Sequence, residues 1–241
     1  MKIFDLTFSY SDKPVYRNFS LELDEKKVSC IMGNSGGGKT TLLNCISGQL
    51  AYSGDIFYGQ YADKSIDETV ISYVFQQPRL IPSLTVEDNI KFVLKDTDKQ
   101  ILNKKVEDIA NKMEISDCLK SYPWQISGGQ ASRAAIARAL VRECDVLLMD
   151  EPFKGLDIKL KRQILDTLTQ LIKDKTVIFV THDVEEALVI ADRIIVLSGG
   201  NGQTVKICED VKINDDRVDR DLYCSRLNEV RGIVTSALLK N

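Results

Sequence analysis

At 241 residues, with 44% hydrophobic residues and a formal net charge of -3, the chain has the length and apolar content for one sizeable domain or one domain carrying an insert. It lacks the basic excess that nucleic-acid binding usually demands. The opening residues, MKIFDLTFSYSDK, do not have the basic-then-apolar layout of a signal peptide, and no apolar run approaches the roughly twenty residues that span a bilayer. Any membrane role is therefore expected to come through a partner.

In chain order, residues 3–10 and 20–23 alternate in short runs and predict a small antiparallel layer. Residues 28–32 read as a buried strand and 40–46 as a helix, with Gly48 placed to stop it. Further β-branched runs at 70–75, 146–149, 177–180 and 194–197 predict buried strands. Over 157–172, Leu160, Ile164, Leu165, Leu168 and Leu171 form an apolar helical stripe. Strands alternating with helices predict a largely parallel α/β sheet. Residues 82–142 change character: strand-like runs give way to helical ones at 86–95 and 100–112, so this stretch reads as a helical insert. Thr85 and Asp88 resemble a capping box, with Asp where Glu or Gln is usual. The expected organisation is a single domain over 1–241 with a C-terminal tail from 201. Within the tail the charged run 209–221 reads as solvated surface, followed by a short helix from Leu222. Cys30, Cys45, Cys118, Cys144, Cys208 and Cys224 form no CxxC pair. Metal binding is not expected of them; Cys30 and Cys45, inside apolar segments, read as small core residues, and reduced thiols fit the cytosol.

Residues 33–40, GNSGGGKT, fit the phosphate-loop pattern G-x-x-x-x-G-K-[ST] between a strand and a helix, where that pattern has to sit. Gly33, Gly36, Gly37 and Gly38, with Asn34 and Ser35 among them, let backbone amides converge on an anion at a helix N-terminus. Lys39 is placed for the β- and γ-phosphates of ATP and the Thr40 hydroxyl for Mg2+, with Thr41 beginning the helix. The run 146–151, VLLMDE, carries Asp150 and Glu151 to the carboxyl end of a strand, where open α/β sheets bind ligands. Asp150 there reads as a metal residue, and Glu151 as a general base for the attacking water. His182, the one histidine, follows the strand ending at 180, within reach of the same edge.

These motifs, with VFQQ (74–77), ISGGQ (126–130), LLMDEP (147–152), GLD (155–157) and VTHD (180–183), resemble the nucleotide-binding subunits of ABC transporters over about residues 3–200. The resemblance implies a P-loop NTPase (RecA-like) α/β core with a small antiparallel β layer and an inserted α-helical subdomain. It implies that Tyr10, rather than its competitor Tyr16, stacks on adenine. Gln76 becomes the glutamine that reaches magnesium and the water, beside Glu151 and His182 as catalytic residues. Ser127, Gly128, Gly129 and Gln130 head a helix over 130–141 and contact the ATP held by a second ATP-binding subunit, while Asp157 crosses the same interface. The implied partners are that second subunit (identical or a close homologue), an integral membrane permease and, indirectly, an extracytoplasmic solute-binding protein. The implied place is the cytoplasmic face of the membrane.

The chain departs from the family pattern at Ile126 (usually Leu), at the third consecutive glycine Gly37, at Ala131-Ser132, and at Lys154 beside the D-loop. Residues 181–198 resemble most closely the importer ATPases for nitrate, sulfonate, taurine and thiamine precursors. Arg217 and Arg220 are loosely similar to the arginine-containing tail of that group. Ser83 stands after Leu80-Ile81-Pro82 where the group has Trp, and 241 residues leave no room for the regulatory domain of sugar-importer ATPases. An exporter or other membrane-complex ATPase, and a module that binds ATP without hydrolysing it, are the alternatives.

Overall fold

The computed structural model describes residues 1–59, 64–94, 98–200, 203–213 and 220–239. Three strands, β1 (Lys2–Tyr10), β2 (Lys13–Glu22) and β4 (Ser53–Phe57), form an antiparallel sheet in the order β2-β1-β4. Six others make the central sheet: β3 (Val28–Gly33), β5 (Ile71–Val74), β6 (Val146–Asp150), β7 (Thr176–Val180), β8 (Arg193–Gly200) and β9 (Gln203–Lys212). Their order is β5-β6-β7-β3-β8-β9, parallel throughout except for β9, which runs antiparallel along β8.

Strands β3, β6 and β7 are buried throughout, which is why they read as continuous apolar runs. Cys30, Leu147, Phe179 and Val196 face one core with the inserted helices, whereas Ile31, Leu148, Ile178 and Leu197 face the other. That second core holds helix α1 (Lys39–Ile46) and the antiparallel layer. Gly48, at φ +70°, ends α1 as the sequence predicts. Cys30, Cys45 and Cys118 are buried core residues. Burial raises the Cys45 thiol to about 11.

Between β5 and β6 the described residues carry helices α2 (Val86–Lys91), α3 (Lys99–Lys112) and α4 (Gly128–Leu140), with no strand. Thr85 Oγ1 accepts from Asp88 N at 3.1 Å, so it caps α2. That helix ends at Lys91, short of the expected 95. Helices α5 (Ile158–Leu171) and α6 (Val184–Ile190) follow β6 and β7, and α7 (Arg220–Leu239) closes the described chain.

The sequence reading falls short at three strands, each for its own physical reason. β2 begins at Lys13 rather than 20, and bulges in its pairing with β1, with Asp5 and Asn18 at φ +49°, break the two-residue alternation. β4 buries only Ile56, and Gly54 at φ +98° lets the β1 backbone approach closely. The charged run 209–221 is not all solvated surface: its first four residues belong to β9. An edge strand carrying charges on its open side looks like a polar tail in sequence. The following helix is long and inserts Val230, Val234 and Ala237 into the core. Arg217 and the side chain of Arg220 lie outside the described residues. No described helix is long and apolar enough to cross a membrane.

Candidate active site

Strand β3 delivers the chain to Gly33 at the carboxyl edge of the sheet, and residues 34–38 turn it into α1. Gly37 N donates to Asn34 O at 3.0 Å, closing the loop on itself. Gly38 takes φ +79° with its carbonyl accepting from Tyr16 Oη at 2.9 Å. A Cβ there would stand 2.7 Å from Val205 of β9. The loop is therefore gripped from outside by β2 and β9. Lys39 is buried and its Nζ donates to Gly33 O and Asn34 O, each at 2.8 Å. Burial lowers its ammonium, with Glu151 and Asp150 opposing.

Thr40 Oγ1 donates to Asp150 Oδ2 at 2.7 Å, across 110 residues. Burial pushes the Asp150 carboxyl up, while the Thr40 bond and Lys39 pull the other way. Glu151, one residue on, sits at φ +44°, a left-handed conformation uncommon for a side chain of this size. Its backbone N–H is fixed to Val180 O at 2.9 Å, tying the end of β6 to the end of β7. Gln76 Nε2 donates to Glu151 Oε2 at 2.9 Å, and His182 Nδ1 lies 3.4 Å from Oε1. Lys154 Nζ also reaches Oε2, at 3.4 Å. Burial alone would raise the Glu151 carboxyl, yet Gln76, His182 and Lys154 together hold it below its ordinary value. A carboxylate kept ionised at a sheet edge is the chemistry a general base needs.

Three residues separated in sequence, Gln76, Glu151 and His182, are thus brought into one cluster beside the phosphate loop. Tyr10 is 50% exposed near the loop, with Oη 3.4 Å from Thr41 Oγ1, whereas Tyr16 is wholly buried and spent on Gly38. Only Tyr10 offers a ring face to a ligand. Residues 127–130 stand outside the cluster, with no hydrogen bond to the phosphate loop among the described residues. Ser127 instead caps α4: its Oγ accepts from Gln130 N at 3.2 Å, and Gln130 Oε1 accepts from Ser127 N at 3.0 Å. The helix accordingly begins at Gly128, two residues before the expected start. Asp157 likewise caps α5, accepting from Leu160 N at 3.0 Å.

A family model described as ABC transporter matches residues 16–154, more than half of the chain. The chain belongs to the ABC transporter family. Among curated relatives, the sulfate/thiosulfate import ATP-binding protein CysA of Mesorhizobium japonicum is 39% identical over 210 residues, covering 82% of this chain and 60% of its own length. The maltose/maltodextrin import ATP-binding protein MalK of Vibrio vulnificus is 38% identical over 199 residues, covering 80% of this chain and 54% of its own. The Fe(3+) ions import ATP-binding protein FbpC of Fusobacterium nucleatum is 32% identical across the whole chain and 67% of its own length. This chain thus spans about 60% of the length of the CysA relative. Among solved structures, the dimeric ATP-binding cassette MJ0796 superposes with a TM-score of 0.77 at 29% identity, covering 88% of this chain and 98% of that one. A dimeric post-hydrolysis state of the same cassette, bound to ADP and Pi, superposes with a TM-score of 0.76.

The residues of this ABC cassette fit a nucleotide with magnesium. Gly36 has open space where its Cβ would stand, so the loop backbone is accessible to an anion. Thr40 and Asp150 present a hydroxyl and a carboxylate side by side, hard oxygen donors of the kind magnesium takes. Gln76, the third residue assigned to the metal, is hydrogen-bonded to Glu151 here.

Sequence reasoning missed the residues that hold this arrangement. Buried Asn89 binds the turn after Gln76, accepting from Ile81 N at 2.7 Å and donating to Thr85 O at 2.9 Å. Arg138 Nη2 donates to Pro78 O at 2.9 Å. Lys161 bridges two carboxylates beside His182. Arg138 and Lys161 carry no local sequence signal, since each acts on backbone or charge distant in the chain, and Asn89 binds an irregular turn that no period marks.

Proposed function

We propose that this chain is the ATP-hydrolysing subunit of an ABC importer, working as a dimer on a separate membrane permease from the cytoplasmic face. The convergence of Gln76 and His182 on the Glu151 carboxylate beside the phosphate loop carries this reading. A module that only binds nucleotide has no use for a pinned, ionised carboxylate at that edge.

In this reading Lys39 turns its ammonium from Gly33 O and Asn34 O to the β- and γ-phosphates, while loop amides and the dipole of α1 take the remaining charge. Thr40 and Asp150 would hold Mg2+, which would supply positive charge against that of the phosphates. Glu151 draws a proton from the attacking water, Gln76 fixes the carboxylate's direction, and His182 stands on its other oxygen. Tyr10 offers its exposed ring to the adenine. Phosphate loop and signature do not meet within one subunit, so Ser127, Gly128 and Gly129 complete the site of a second copy. Two such exchanges are what a two-fold symmetric dimer provides. The Ser127 hydroxyl keeps its proton free while its oxygen accepts from Gln130, so capping and phosphate contact are compatible.

The named relatives serve sulfate, maltose and iron importers, and that range supports import of a small solute. The similarity of residues 181–198 favours a cargo of the nitrate, sulfonate, taurine or thiamine-precursor kind. Phosphate release by the chain with its permease, compared for wild type and Glu151→Gln, tests the enzymatic reading. Equal rates would overturn it. Ligand screening of the solute-binding protein that co-purifies with the complex tests the cargo.

A further inference from the structure

His182 is exposed, and Glu151 at 3.4 Å is its polar neighbour among the described residues. Its position therefore has to come from the backbone on either side of it. That backbone is closed into a small ring: Asp183 N donates to Thr181 Oγ1 at 3.0 Å, and Thr181 Oγ1 donates to Glu186 Oε2. Asp183 Oδ1 in turn caps α6 by accepting from Glu185 N at 2.9 Å. Two carboxylates, Asp183 and nearly buried Glu186, thus stand on the same short turn.

Their shared counter-ion comes from another element. Lys161 Nζ lies 2.7 Å from Asp183 Oδ2 and 2.5 Å from Glu186 Oε1. Lys161 is in the first turn of α5, the helix whose N-terminus Asp157 caps. Without that ammonium, a buried carboxylate would be left uncompensated beside a second one, and the turn would have to rearrange. A partly buried bridge to two acids also fixes distance and direction in a way that an exposed pair does not.

We propose that Lys161 is a positioning residue for His182, locking the Asp157-capped turn of α5 to the 181–186 turn so that both keep one arrangement. The assignment rests on the ATPase reading above and adds a residue to it. Burial alone would lower the Lys161 ammonium, yet Asp183 and Glu186 hold it above the usual lysine value. Burial would raise the Asp183 carboxyl, yet Lys161, with the backbone amides of Glu185 and Glu186, holds it below its ordinary value. A consequence is that displacement of the Asp157 turn by a second copy would be passed to His182 through one side chain.

The test compares Lys161→Met, Lys161→Arg and His182→Ala in the full chain, by phosphate release and by amide hydrogen exchange. Lys161→Met should lower kcat about tenfold, with KM for ATP within about twofold of wild type, because misplacement costs rate more than binding. Lys161→Arg should recover most of that loss. In the His182→Ala background Lys161→Met should cost less than about twofold further, the non-additivity of two residues acting as a unit. Amides at 183–186 should exchange faster in Lys161→Met. A full additional loss in the His182→Ala background would overturn the proposal, as would faster exchange with kcat unchanged. Should Lys161→Met not fold, Asp183→Asn, which keeps the capping oxygen and removes the charge, has to reproduce the kcat loss or the proposal falls. If His182→Ala hydrolyses ATP like wild type, the role given to His182 fails and this proposal with it. If Lys161 alone gives the contrary results, the ATPase reading survives.

Discussion

Gln76 Nε2 donates to Glu151 Oε2 at 2.9 Å, joining residues 75 positions apart. Gln76 follows β5, beyond which the helices begin, and Glu151 follows β6, so the bond links the catalytic edge to the helical region. General-base catalysis contributes about two to four powers of ten. Glu151→Gln should therefore slow phosphate release at least about a hundredfold. Nucleotide affinity should hold, because the Lys39, Thr40 and Asp150 contacts are untouched. Single-turnover hydrolysis beside equilibrium nucleotide binding checks both halves. A parallel loss of affinity would show that Glu151 supports binding rather than chemistry.

Gly38 and Gly36 allow strain to be separated from contact. Both have left-handed φ values, +79° and +77°, but a Cβ at Gly38 meets Val205 at 2.7 Å while one at Gly36 meets nothing within 4 Å. Left-handed backbone costs a non-glycine residue about 1–2 kcal/mol, and overpacking adds about 1–3 kcal/mol. Gly38→Ala should thus lose about 2–5 kcal/mol and Gly36→Ala about 1–2 kcal/mol. Urea unfolding of the two variants measures the difference. Equal losses would mean that Val205 and β9 do not brace the loop.

The chemistry was legible in the sequence because it is written in contiguous motifs at strand ends. In the proposed reading, charge and hydrogen bonding to ATP and a metal set the residue type at Lys39, Thr40, Asp150, Glu151 and His182, and the apolar run before each cluster marks the strand that carries it. The family resemblance alone favours Tyr10 over Tyr16, since both belong to the antiparallel layer; burial is the physical property that tells them apart. The supports of the site were illegible for a different reason. Lys161 and Val205 act on residues distant in the chain, and Asn89 acts on the irregular turn just before its own helix, so no local period records any of them. β9 hides for a third reason, because its exposed charges mask the two positions, Val205 and Val211, that it buries.

Acid should weaken the attachment of β9 to β8. Arg193 donates to Asp210 through Nε at 2.7 Å and Nη2 at 2.6 Å. Those bonds, against burial, hold the Asp210 carboxyl below its usual value. A depressed carboxylate stabilises the fold fully above its unfolded value of about 3.9, and the contribution disappears as pH falls through the lower folded value. Asp210 is partly exposed, so screening limits the pair to about 1 kcal/mol or less. Asp210→Asn should be less stable than wild type at neutral pH, and the gap in urea midpoint should narrow below about pH 4. A gap that persists undiminished at pH 3 would assign the loss to something other than this charge.

Trp124 is the one tryptophan of the chain and stands three residues before Ser127. It is 67% exposed and stacked on Tyr122, with centroids 4.6 Å apart and planes 9° apart. Its emission therefore reports on the surface beside the signature without any label. In the Glu151→Gln variant, Mg2+ and ATP should shift that emission to the blue together with a doubling of mass on sizing, as the signature meets a second copy. Ser127→Arg should abolish both changes while leaving nucleotide affinity of the monomer within about threefold, a difference under 1 kcal/mol. The substitution also removes the cap of α4, worth about 1 kcal/mol, so Ser127→Ala serves as the control for that loss. If Ser127→Ala behaves as Ser127→Arg, loss of the hydroxyl, and not the bulk and charge of arginine, explains the effect. If Ser127→Arg abolishes ATP binding by the monomer, Ser127 belongs to its own chain's site, and exchange between two copies is the wrong account of residues 127–129.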